Sequence, residues 1–208
     1  MNREEYLAAT NKNCRRLYIK VWVMNQAMSF DIADISDNDP YDDYVSDLAD
    51  SKSDELISNG QIEHAQSIIR NLLSHAENEV RIFTSCLHPK IYCDPRVVEA
   101  ASAFLERDDV KIKVLIQDAN NLDSSTPFFK LCSEHDDKCI VMEVVTDSDR
   151  SIKQHMVVMD QIGFRFCADM DKNEAIASFN APGAAKNLAE QFDILFGRAN
   201  KLELNAAA

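Results

Sequence analysis

From residue 60 to about 201 the apolar positions switch repeatedly between a helical and a strand period. Ile62, Ala65, Ile68, Ile69, Leu72 and Leu73 recur at i, i+3, i+4 spacing. That spacing predicts an amphipathic helix over 61–76 with this stripe buried. Val80, Ile82 and Phe83 predict a short buried strand over 79–85. Asp94 reads as an N-cap and Pro95 as the first residue of a helix over 94–107. The run VKIKVLIQ predicts a strand over 110–117. A short helix over 127–136 and strands over 139–146 and 153–160 follow, then a hairpin partner at 163–168 and a strand at 174–179. The closing helix, 183–198, turns Leu188, Phe192, Leu195 and Phe196 inward. Strands alternating with helices imply an α/β fold, an α/β/α sandwich around a mixed central sheet. Its core is expected to include Val80, Ile82, Val114, Ile116, Val141, Val144, Val157 and Phe179.

The chain before this unit has a different character. Leu17, Tyr18, Val21, Met24, Asn25 and Met28 recur at helical spacing among Arg15, Arg16 and Lys20. A strand competes over 17–24, where β-branched residues alternate; the helix is preferred. Residues 31–55 then hold nine Asp and one Glu against a single Lys. This stretch carries most of the net charge of −13. A general electrostatic grip on nucleic acid is therefore not expected, except through a local pocket. Tyr41, Tyr44, Val45 and Leu48 interrupt the acids. The stretch reads either as a solvated linker or as an extended arm that folds on a partner, with Asp39, Tyr41, Asp42, Asp43, Tyr44 and Asp47 as its contacts. The Asn59-Gly60 turn signal places the boundary. An N-terminal helix and acidic segment occupy 1–58, the α/β domain 59–201 and a tail 202–208.

Composition narrows the class. Apolar residues make up 46% of the chain, enough for a full core. No run of 18 apolar residues is present to span a bilayer. The N-terminus has no apolar signal-peptide region, and the six cysteines are scattered without CxxC spacing. A cytoplasmic protein with reduced thiols is expected. Cys86, His88 and Cys93 have no common metal-site spacing, so no metal and no cofactor is expected.

Candidate chemistry is concentrated in 151–188. A strand carries Lys153 and His155, Asp160 follows, and Ser178-Phe179-Asn180 runs into the last helix. This order resembles the signature of the phospholipase D superfamily, His-x-Lys-x4-Asp followed by Gly-Ser-x-Asn. Anchored on Asp160, the His position holds Lys153 and the Lys position holds His155; Ala177 stands for the Gly. The interval from Asp160 to Ala177 is also longer than in the family. The pattern of elements over 60–199 is similar to one half of a phospholipase D fold, but the resemblance is specific only over 153–180.

The resemblance implies a metal-independent phosphodiesterase. A His attacks phosphorus, Lys and Asn hold the oxygens, and a second His from a paired half or subunit is the acid. Here the imidazole is displaced by two residues, roughly 6.5 Å along a strand, whereas a misplacement of about 1 Å can cost on the order of a hundredfold in rate. Lys153, His155 and Asp160 are thus candidates with altered roles. Lys153, His155, Ser178, Asn180 and His88, at the end of the first strand, are candidate phosphate contacts. A homodimer is expected by analogy with single-half relatives. The favoured reading is a non-catalytic phospholipase D-like module that binds a protein partner or a phosphate-bearing ligand, as a regulator or assembly component. The alternatives are a dimeric phosphodiesterase or nuclease with a rearranged site, and an antitoxin-like or immunity-like inhibitor with an acidic arm.

Overall fold

A computed structural model describes residues 39–172 and 174–202. In chain order its elements are α1 (Pro40–Asp50), β1 (Ile57–Asn59), α2 (Ile62–His75), β2 (Glu79–Thr84), α3 (Pro89–Tyr92), α4 (Pro95–Leu105), β3 (Lys111–Ile116), α5 (Pro127–Glu134), β4 (Cys139–Glu143), α6 (Asp147–Arg150), β5 (His155–Met159), β6 (Gly163–Asp169), β7 (Glu174–Ser178), α7 (Pro182–Phe196) and β8 (Asn200–Lys201). The eight strands form one sheet in the order β1-β7-β6-β5-β2-β3-β4-β8. β2, β3 and β4 run parallel. β5 is antiparallel to β2, and β6, β7 and β1 continue antiparallel from it.

The mixed α/β/α sandwich expected from the sequence is what forms, because the central strands are apolar on both faces. Val80, Ile82, Ile112, Val114, Ile116, Val141, Val157 and Met159 face α1, α2, α4 and α5. Phe83, Leu115, Met156, Val158 and Phe164 face α7. Every core residue named from the sequence is 2% exposed or less. On α2, Ile68, Ile69, Leu72 and Leu73 are sealed from solvent, each worth about 1.5–3 kcal/mol of burial. Arg81 ties the sheet to α7: it is 6% exposed and pairs with Glu79 at 2.7 Å and Asp193 at 3.0 Å.

The second half of the acidic stretch departs from expectation. It is neither extended nor a linker. Asp39 caps α1, its Oδ1 accepting from Tyr41 N at 3.0 Å, and Pro40 takes the first turn. Tyr41, Val45 and Ala49, at i, i+4, i+8, are buried in the main core. Arg70 of α2 reaches Asp42 at 3.2 Å and Ser46 at 2.8 Å. The few apolar residues therefore anchor the helix on its own domain, and the compact unit starts at Asp39. Two of the residues expected to contact a partner, Tyr41 and Asp42, are used internally, while Asp43 and Asp47 stay on the exposed side of α1. Tyr44 is half-buried and donates to Glu55 at 2.6 Å. The N-terminal helix expected from the Leu17–Met28 stripe, the acids before Asp39 and the tail after Leu202 lie outside the described residues.

Candidate functional site

The residues that the sequence reading grouped as an altered signature separate in space. β5 starts at His155, two residues later than the sequence pattern implies. The loop before it is held by the buried Gln117, whose Nε2 reaches the carbonyls of Asp149, Arg150 and Ile152 at 3.1, 3.2 and 2.6 Å. Met170 N donates to the Lys153 carbonyl at 3.0 Å. Lys153 consequently lies outside the strand. It lines a groove with Met156, Ile194 and Leu195 on the α7 side of the sheet. His155 alternates with Met156 and shares the face of Val157, toward α2. The expectation that Lys153 and His155 point the same way is therefore corrected.

His155 is half-buried, and its Nε2 accepts a hydrogen bond from Ser85 N at 3.0 Å. The neutral ring thus carries its proton on Nδ1. Burial, with the positive charge of Arg165 and of His88 nearby, pushes its pKa down to about 4. At neutral pH the ring is uncharged, and its free lone pair is already committed to the backbone. His88 is exposed and caps α3, its Nδ1 accepting from Lys90 N at 3.2 Å.

Asp160 has a scaffold task. It sits in the left-handed region (φ 48°), as does Gln161 (φ 57°), and the pair makes the tight turn from β5 to β6. Its carboxylate accepts from the backbone N–H groups of Glu77, Asn78 and Glu79 at 2.5, 2.8 and 2.7 Å. That pins the α2–β2 loop to the end of β5.

Ser178 and Asn180 do not join His155. β7 pairs with β6, and β6 with β5, so Ser178 lies level with Phe164 and Val158, whereas His155 lies level with Cys167 and Ala175. The offset is three residues along the strand, roughly 10 Å, and two strands across. Ser178 shares the register position of Phe164 and Val158, on the α7 face, and is fully buried. Asn180 is exposed, its N–H bonded to Ser178 Oγ at 3.3 Å. Both β6 and β7 lie between Asp160 and Asn180, and this produces the displacement.

The α2 side of β6 holds a charged group that motif reading passed over. Arg165 lies opposite Val157 and Ala177 and is 8% exposed. Tyr92, Cys167 and Tyr41 lie within its electrostatic reach, and burial lowers its pKa. Tyr92 is buried, and its hydroxyl pKa is driven up by burial. A signal was available: in GFRFCA, Arg165 occupies the same period-2 series as Gly163 and Cys167, a position where an apolar residue is the norm. His64 of α2 is half-buried and stacks on Tyr41 with ring centroids 3.6 Å apart. Among the described residues no group of three or more His, Cys, Asp or Glu side chains is placed to hold a metal.

This architecture is a phospholipase D-like fold. The chain is similar to Nuc from Salmonella typhimurium, a phospholipase D family member, at 13% identity and a TM-score of 0.51, covering 71% of this chain and 99% of that one. It is also similar to TrmBL2, an archaeal chromatin protein, at 14% identity and a TM-score of 0.55, covering 96% of this chain and 65% of that one. NucT from Helicobacter pylori matches at 8% identity and a TM-score of 0.48, covering 71% of this chain and 100% of that one. No curated protein matches the chain. By sequence it belongs to the family described as "Domain of unknown function (DUF7931)", matched over residues 61–204.

Proposed function

We propose that this protein is a non-catalytic phospholipase D-like module that binds a phosphate-bearing ligand without cleaving it, in a regulatory or assembly role. One observation carries the reading: the signature positions that must converge for phosphodiester cleavage are dispersed. Nucleophilic attack needs a free imidazole lone pair aimed at phosphorus. Here Nε2 of His155 is occupied by Ser85 N–H. Lys153, at the nucleophile's place in the sequence, is an ammonium on the other side of the sheet and a poor nucleophile when charged. Asp160 is saturated by backbone amides. Ser178 and Asn180 are too distant to hold the transition state, which tolerates little misplacement.

The acidic arm lends less support to a protein partner than the sequence implied, since Tyr41 and Val45 are buried in the domain's own core. TrmBL2 is described as showing a novel mode of DNA binding. The net charge of −13 opposes a similar use of this chain.

The test is hydrolysis of bis-p-nitrophenyl phosphate and of DNA by purified protein, with and without divalent metal. No turnover above a mock preparation is expected. Turnover that disappears in His155→Ala would instead establish a phosphodiesterase with a rearranged site.

A further inference from the structure

Buried charges in proteins are paired, and buried polar atoms are hydrogen-bonded; each exception calls for an explanation. Arg165 is such an exception. Its guanidinium remains charged across the physiological range. It is 8% exposed, its Nε is buried without a hydrogen-bond partner, and no described carboxylate forms an ion pair with it. The groups in its electrostatic reach are Tyr92, Tyr41, Cys167 and His155. None of these is a carboxylate.

A second unsatisfied group lies on the same face of the sheet. Asn59 of β1 is 4% exposed, and neither its amide nitrogen nor its oxygen has a partner. Its register partner Ala175 pairs in turn with Cys167, which places Asn59 on the face of Arg165. An unpaired guanidinium on β6 and an unsatisfied amide on β1 thus share one face of the sheet, and no described carboxylate is paired with the charge.

We infer that Arg165, with Asn59, forms a receptor for a tetrahedral oxyanion of the phosphate class, either the free ion or a terminal phosphate ester. The planar guanidinium fork matches two oxygens of such an anion at once. The Asn59 amide supplies a further donor for a remaining oxygen. This site shares no residue with the altered signature. It gives the phosphate-binding reading above a location, and rests on that reading. The two fail separately: turnover would refute the non-catalytic reading whether or not Arg165 holds an anion.

The experiment is calorimetric titration of the full chain with inorganic phosphate at fixed ionic strength, beside Arg165→Met and Arg165→Lys. Binding to the wild type is expected, weakened at least tenfold by Met and less by Lys. Arg165→Met should also melt above the wild type in phosphate-free buffer, because removing a buried unpaired charge is stabilising, and should not respond to phosphate. If Arg165→Met fails to fold, the Lys variant and the His155 ring resonances of the wild type carry the test. Phosphate must then shift those resonances and do so less in Arg165→Lys. Tighter binding of a 5′-phosphorylated than of an unphosphorylated short oligonucleotide would support the terminal ester; a response to inorganic phosphate alone would support the free ion. The proposal is overturned if wild type and Arg165→Met respond equally to phosphate, or if the wild type responds to neither inorganic phosphate nor the phosphorylated end.

Discussion

Protonating His155 should destabilise this fold in a defined pH window. Its imidazole accepts from Ser85 N at 3.0 Å and lies in the field of Arg165. A proton on Nε2 would break that hydrogen bond and place a second positive charge beside the first. The folded pKa is pushed down to about 4, against about 6.5 in an unfolded chain. Between these values the unfolded state binds more protons than the folded one, so stability rises with pH. The contribution is fully present above about pH 6.5 and is lost as the pH falls toward about 4. Its whole extent is about 3 kcal/mol, of which about 2 kcal/mol disappears between pH 7 and pH 5. Urea unfolding of wild type and His155→Gln across that interval isolates it. Gln keeps an acceptor for Ser85 N–H and does not titrate. His64, whose pKa burial also lowers, contributes equally to both proteins and cancels. The difference in unfolding free energy between wild type and variant should therefore change by about 2 kcal/mol from pH 7 to pH 5. An NMR titration placing the His155 midpoint near that of a free histidine, or a flat difference over the interval, would refute the argument.

Asp160→Ala removes a carboxylate that serves three backbone amides. It should cost about 2–3 kcal/mol in chemical denaturation, with Asp160→Asn losing less because one acceptor oxygen survives. For α1, Asp39→Ala should cost about 1 kcal/mol through the lost cap, and Val45→Ala about 2 kcal/mol through its cavity. Both should move the single cooperative transition of the domain; an early separate transition would mean that α1 is not part of the core.

The elements of the α/β unit could be read in the sequence because they follow local periods. Ile68, Leu72 and Leu73 mark a helix, and Val157 and Met159 a strand, whatever lies beyond them. The Asp94-Pro95 cap is equally local. Short pieces escaped: α3, α6, β1 and β8 span two to four residues each, too few for a period to show. The acidic stretch was misjudged for a related reason. Its three core residues are spaced by four among acids, and only the apolar surface of α2, together with Arg70, makes a helix there worthwhile.

The site was decided by tertiary structure. The order Lys153, His155, Asp160, Ser178, Asn180 is a property of the chain, but convergence depends on register. A whole hairpin, β6 and β7, follows Asp160 before Ser178 is reached, and it carries Ser178 back along the sheet and onto the other face from His155. Period-2 alternation fixes a side chain relative to its own strand and says nothing about which strand lies beside it. For the same reason Arg165 is visible in the sequence only as a cation in an apolar series. That it lies buried and unpaired on the face shared by Asn59 and α2 follows from pairings across more than a hundred residues of chain.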